Sequence, residues 1–131
     1  MLSPDDFTRI MQALRRHFHV LEHAEIAIEL DPRKVDAGRV AAYAGSGVNR
    51  VSLGVQDFDN KVMDAVNRHQ PFELSANAVH LLRQAGIDNI NCDLIYGLPY
   101  QSVTGMGETV TRLLTLTPNR VSLFGYAQCH G

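Results

Sequence analysis

The sequence predicts an α/β fold in which about four parallel βα units stand side by side, as an arc of a barrel or as an open sheet. Three observations carry this expectation. Segments with helical period alternate along the chain with short β-branched, apolar segments. The helix-to-strand joints are brief turns, such as Gly47-Val48-Asn49 and Thr117-Pro118-Asn119, as crossover connections require. A five-residue echo, NRVSL at 49–53 and again at 119–123, is what two related units leave behind, although chance also supplies matches of this length.

The elements follow in order. Ser3 caps the first helix, Pro4 suits its first turn, and Asp5 and Asp6 favour the positive end of the helix dipole. Phe7, Ile10, Met11 and Leu14 repeat at helical spacing and predict a buried face. Residues 25–30, EIAIEL, alternate acidic and apolar side chains and stop at Asp31-Pro32, as a strand closed by a turn does. Residues 34–44 suit a helix ending in Gly45-Ser46-Gly47, and 48–55 a second strand running into Gln56-Asp57-Phe58.

A short helix is predicted over 60–67. A longer one is predicted over 72–85, with Leu74, Ala78, Leu81, Leu82 and Ala85 on one face and Gly86 at its end. The stretch 89–99, NINCDLIYGLP, is a central strand that Gly97 and Pro99 bring to a halt. Residues 102–117 keep a helical period through Met106, Val110, Leu113 and Leu114, against the low propensity of Gly105, Gly107 and several threonines. Pro118 ends that helix, and RVSLFGY at 120–126 is the last strand.

The 131 residues, 45% of them apolar, suffice for one domain with a core. They are too few for eight βα units, which take about 250 residues. No linker or second domain stands out, so 1–131 is expected to form a single unit. A net charge of −2 gives no general attraction for nucleic acid or an anionic membrane, which points to a small-molecule partner. Cys92 and Cys129 are too few for a disulfide framework and suggest a reducing, cytoplasmic setting. The first residues mix acids and arginines, unlike a signal peptide, and no run approaches the roughly 18 apolar residues of a membrane span. An open arc leaves two unpaired edges, which invite association through edge strands.

Asp93 is the most informative residue, because a charged group inside an apolar strand is costly unless it is used. Each predicted strand carries a polar or small residue near its C-terminal end: Glu29, Gln56, Asp93, and Ala127 beside Gln128. In parallel α/β folds ligands bind at those ends. Strand ends that emerge into water are polar for that reason alone, and the pattern does not decide between the two readings for Glu29 and Gln56. Arg68, in the connection after the second strand, offers a guanidinium fork for a carboxylate or phosphate, or is a solvated loop arginine. His69 beside it is a proton carrier or an exposed loop residue. Neither the Cys129-His130 pair nor the scattered His17, His19 and His23 make a metal-binding pattern, so no metal ligand is assigned. Residue chemistry alone identifies no catalytic group.

The stretches EIAIELDPR, GVNRVSLGVQDFD, AVNRHQPFE, NINCDLIYGLPYQ and PNRVSLFGYA, in this order and spacing, resemble the oxygen-independent coproporphyrinogen III oxidases, or coproporphyrinogen dehydrogenases, of the radical SAM superfamily. The resemblance covers nearly all of the chain from about Glu25. GVNR, GVQ and DLIYGLP are shared with haem-chaperone-like relatives, whereas VNRHQPFE and LFGYA look more like the oxidases.

The resemblance implies a radical SAM (β/α)6 partial barrel with S-adenosyl-L-methionine (SAM) held by residues matching Glu29, Gln56, Arg68, Asp93 and Ala127. It implies a reaction of haem biosynthesis in which a 4Fe-4S cluster reduces SAM and the resulting radical takes hydrogen from a propionate of coproporphyrinogen III. Decarboxylation then leaves the vinyl groups of protoporphyrinogen IX. The family's CxxxCxxC cluster motif has no counterpart in the sequence. The chain is therefore expected to be a middle fragment, without the cluster-binding N-terminal part and the C-terminal domain, and inactive by itself. A fragment of a haem-chaperone-like relative and a non-catalytic structural module are the alternatives.

Overall fold

The structure, a computed structural model, describes residues 2–127. The four β-branched segments form one parallel sheet in chain order: β1 (Ala27–Leu30), β2 (Arg50–Gln56), β3 (Asn89–Tyr96) and β4 (Arg120–Gly125). The helices are α1 (Pro4–His17), α2 (Ala37–Gly45), α3 (Asn60–Ala65), α4 (Phe72–Gln84) and α5 (Val103–Leu114), with a 3-10 turn at Pro32–Lys34. This is the predicted α/β arrangement of successive parallel βα units.

Alternation along each strand sorts the sheet into two faces. Val51, Leu53 and Val55 of β2 and Ile90, Cys92 and Leu94 of β3 are buried in one core with Val40, Tyr43, Ala78, Val79, Leu82 and Leu113 of the helices. The opposite face carries polar side chains in matching rows. Glu29 pairs with Ser52 and Ser52 with Asn91, while Gly54 pairs with Asp93 and Asp93 with Ser122.

Side-chain caps set the starts of α1, α2, α3 and α5, whereas α4 begins after Pro71 without one. Ser3 Oγ accepts from Asp6 N at 3.1 Å, and Ser102 Oγ from Gly105 N at 3.0 Å. The helix predicted over 34–44 is instead a 3-10 turn followed by α2. Asp36 is extended, and its carboxylate caps Arg39 N at 2.8 Å. The helix predicted over 60–67 ends at Ala65, and that over 102–117 ends at Leu114. Asn67 (φ 54) and Thr117 (φ 49) lie in the left-handed region, which ends a helix.

Three buried faces also differ from the pattern. α4 turns Ser75, Ala78, Val79 and Leu82 inward and leaves Leu74 and Ala85 exposed. α1 buries no residue fully, although Phe7 meets Tyr43 edge-on with centroids 4.8 Å apart. In α5 the buried positions are Thr109 and Leu113, while Leu114 is exposed.

The NRVSL echo recurs as geometry. Ile26 N donates to Asn49 Oδ1 at 2.9 Å while Asn49 N donates to Ile26 O at 3.0 Å. Ile90 N donates to Asn119 Oδ1 at 3.0 Å while Asn119 N donates to Ile90 O at 2.9 Å. Each asparagine thus clamps the start of its strand to the neighbouring strand.

Candidate functional site

The C-terminal end of β2 is irregular. Its register with β3 shifts between Gly54 and Gln56, and Gln56 adopts φ 70. Such a bulge leaves backbone carbonyls without ladder partners. The connection after α3 supplies them: Gln70, 1% exposed, donates through Nε2 to Gly54 O at 3.2 Å and to Val55 O at 3.0 Å. Arg68 adds Nη2 to Gly54 O at 2.9 Å, and its Nε donates to Gln70 Oε1 at 3.0 Å. The VNRHQ segment is therefore the support of the bulge.

Beside it opens a cleft of about 400 Å³ lined by Glu29, Asp31, Lys34, Gly54, Gln56 and Arg68. Gly54 lies at its floor. A Cβ there would stand 3.0 Å from Gln56 Nε2 and 3.4 Å from Arg68 Nη2, so a side chain would fill the cradle. Burial pulls the Arg68 guanidinium below its usual range, opposed by the Asp31 carboxylate 3.5 Å from Nη2. Asp31 is itself held below the ordinary carboxylate range, chiefly by its side-chain hydrogen bonds from Arg33. That fork places Nε 3.0 and 3.1 Å from the two carboxylate oxygens.

Asp93 stands one strand over, paired with Gly54, and is 9% exposed. Asn91 Nδ2 donates to its Oδ1 at 2.7 Å and Ser52 Oγ to its Oδ2 at 2.7 Å. Of the five residues singled out in the sequence, Glu29, Gln56 and Arg68 thus line one cleft, and Asp93 occupies the adjoining strand. Ala127 lies beyond the end of β4 and is exposed. His69 is exposed too, with Nδ1 3.4 Å from Asp64 Oδ1. Gln128, Cys129 and His130 lie outside the described residues.

Several residues that hold the site escaped the sequence reading. Asp57, wholly buried, accepts from Phe58 N at 2.6 Å, from Asp59 N at 2.9 Å, from Gln101 Nε2 at 2.6 Å and from the Thr109 hydroxyl. Gln101 also donates to Ile95 O at 2.9 Å and accepts from Gly97 N at 2.7 Å. The available signal was a charged residue directly after Gln56, at a joint where the chain must turn inward rather than out.

The cleft suits a ligand with both hydrogen-bond donors and acceptors: carboxylates at Glu29 and Asp31, an amide at Gln56, cations at Arg68 and Lys34, with the Asp93 carboxylate on the adjoining strand. An iron–sulfur cluster fits differently. Such a cluster needs thiolates, and Cys92 faces the helices, is fully buried, and has its thiol pushed up to about 12 by burial. Among the described residues no group of three or more His, Cys, Asp or Glu is placed to hold a metal ion. The described residues therefore do not fit a cluster. No helix among them is long and apolar enough to cross a membrane.

Comparison with known proteins places these features in a lineage. The sequence pattern of the Radical SAM superfamily matches residues 2–113. The oxygen-independent coproporphyrinogen III oxidase of Bradyrhizobium diazoefficiens is 54% identical over 127 residues, which is 97% of this chain and 28% of that protein. That of Pseudomonas aeruginosa is 42% identical over 128 residues, again covering 28% of its length. The solved coproporphyrinogen III oxidase of Escherichia coli superposes with a TM-score of 0.93 at 38% identity, over 98% of this chain and 30% of that one. The chain therefore spans 28% of the length of these two oxidases.

Proposed function

This chain belongs to the radical SAM superfamily, and from that premise we propose that it serves an oxygen-independent coproporphyrinogen III oxidase of haem biosynthesis by holding SAM at its strand ends. The reaction is the oxidative decarboxylation of propionate side chains of coproporphyrinogen III to the vinyl groups of protoporphyrinogen IX, carried out in the cytoplasm. The supporting observation is the grouping of Glu29, Gln56 and Arg68 around Gly54, with Asp93 on the paired strand. When bound, SAM supplies the radical that takes hydrogen from the propionate; the protein holds and orients.

On this reading Glu29 and Asp93 accept hydrogen bonds from hydroxyl or ammonium groups of SAM, and Gln56 serves as donor or acceptor through its amide. Arg68 engages a carboxylate with the guanidinium hydrogens that the bulge leaves unused. Ala127 contributes from beyond β4. Arg68 also has a structural task, because with Gln70 it satisfies Gly54 O.

Calorimetric titration of the chain with SAM tests the assignment. Replacing Asp93 by Ala is expected to weaken binding by about tenfold to hundredfold, the effect of losing hydrogen bonds to a charged group. Undiminished affinity in a folded Asp93→Ala sample sinks the role of that residue. Anaerobic conversion of coproporphyrinogen III by the polypeptide as the cell produces it tests the reaction itself.

A further inference from the structure

Asn91 sits at the centre of a directed hydrogen-bond chain that ends on Asp93. Its Nδ2 has two hydrogens, and both are used: one reaches Asp93 Oδ1 at 2.7 Å and the other Ser52 Oγ at 2.7 Å. Ser52 passes its own hydroxyl hydrogen on to Asp93 Oδ2 at 2.7 Å. On the far side Ser122 Oγ donates to Asn91 Oδ1 at 3.2 Å, and the Asp93 carboxylate, which can only accept, fixes the NH2 end of the amide toward itself. Three strands contribute, since Ser52 pairs with Asn91 across β2 and β3, and Ser122 pairs with Asp93 across β3 and β4.

The donor count decides the direction. Every hydrogen of the chain points toward Asp93, and each carboxylate oxygen receives one bond, leaving each with acceptor capacity for something else. An aspartate that needed only to be made tolerable in the interior is served by any donors at hand. This one has both oxygens held by side chains that are themselves locked, so the plane of the carboxylate is set before a ligand arrives.

We infer that Asn91, with Ser52 and Ser122, positions the Asp93 carboxylate for ligand binding. The inference rests on the reading of Asp93 as a SAM contact. Asn91→Ala and Ser52→Ala each remove one bond to a carboxylate oxygen and are expected to weaken SAM binding by about tenfold. Ser122→Ala leaves Asp93 untouched directly and frees the Asn91 amide to turn, for a loss of about twofold to threefold. Ser52→Thr keeps the hydroxyl and restores most of what Ser52→Ala loses.

The experiment titrates SAM into the unmodified chain and these variants, with circular dichroism confirming that each is folded. It also records the Asn91 side-chain amide by 15N NMR without ligand. The amide hydrogens are expected to exchange slowly and to shift in Asp93→Asn. If the unmodified chain binds SAM while Asn91→Ala and Ser52→Ala bind equally well, the inference is overturned. If the unmodified chain does not bind SAM, the site reading fails instead, and the NMR signal still judges the network. Fast exchange of the Asn91 amide, indifferent to Asp93→Asn, overturns the inference on that arm too.

Discussion

Gln101 Nε2 donates to Asp57 Oδ2 at 2.6 Å, so a side chain from the β3–α5 connection grips the carboxylate that terminates β2. The two connections that frame the C-terminal edge of the sheet are thereby fastened to each other. Gln101 also binds Ile95 O and Gly97 N, which ties the end of β3 into the same knot.

Gln101→Ala removes a donor to a wholly buried carboxylate and leaves Ile95 O short of a partner. A stability loss of about 2 to 3 kcal/mol is expected from urea unfolding. Thr109→Val, nearly the same shape, deprives Asp57 of its hydroxyl donor and is expected to cost about 1.5 to 3 kcal/mol. Midpoints matching the unmodified chain mean that the knot contributes nothing.

Gln70 satisfies both carbonyls exposed by the bulge. Gln70→Leu keeps the bulk but not the donors, and a loss of about 2 kcal/mol is expected. Hydrogen exchange should show the bulge at 54–56 opening more readily in this variant, with the β1–β2 pairing at 50–53 unchanged. Equal exchange at 54–56 contradicts the role given to Gln70.

Cys92 is fully buried and its thiol is pushed up to about 12, chiefly by desolvation. Folded chain treated with iodoacetamide at pH 8 is expected to keep Cys92 unmodified over a period that alkylates it completely in urea, as peptide mass mapping reads out. Labelling of Cys92 at the same rate in both samples places the thiol in the open instead.

Asp31 is held below its ordinary value of 3.8, mainly by the hydrogen bonds from Arg33. The unfolded chain takes up this proton first as pH falls. The contribution is therefore complete above the unfolded value and is lost as pH drops through the lower folded one. Asp31→Asn should flatten the acid side of the stability curve below about pH 4, by less than about 1 kcal/mol because both side chains are partly exposed. A curve of unchanged slope shows that the pair carries no linkage.

Much of the architecture was legible because two simple periods dominate it. Alternation at 25–30 and β-branched apolar runs further on located the strands, and the helical period marked the longer helices, since burial of Val51, Leu53, Ile90 and Leu94 against α2, α4 and α5 demands such patterns. The candidate residues at strand ends stood out for a related reason: Asp93 breaks an apolar run and so announces itself. What stayed hidden was the support. Gln70, Gln101 and Thr109 are polar residues in loops or on a helix face, where polarity is ordinary, and only the fold reveals that they turn inward. Thr109 misled in a second way, because it occupies the buried position of α5 that the pattern gave to Val110.

The paired asparagine clamps have a consequence for how the chain finds its alignment. An asparagine that presents its amide where a peptide unit would stand lengthens the hydrogen-bonded ladder by one rung at the end remote from the cleft. A strand slid by one residue exchanges its faces, which the core forbids; one slid by two keeps its faces and is the more dangerous error. The clamp rejects that second error, because after a two-residue slide Asn49 no longer meets Ile26, and Asn119 no longer meets Ile90. Alignment is thus proofread at the sheet's quiet end, leaving residues at the other end, where the cleft opens, free of that task.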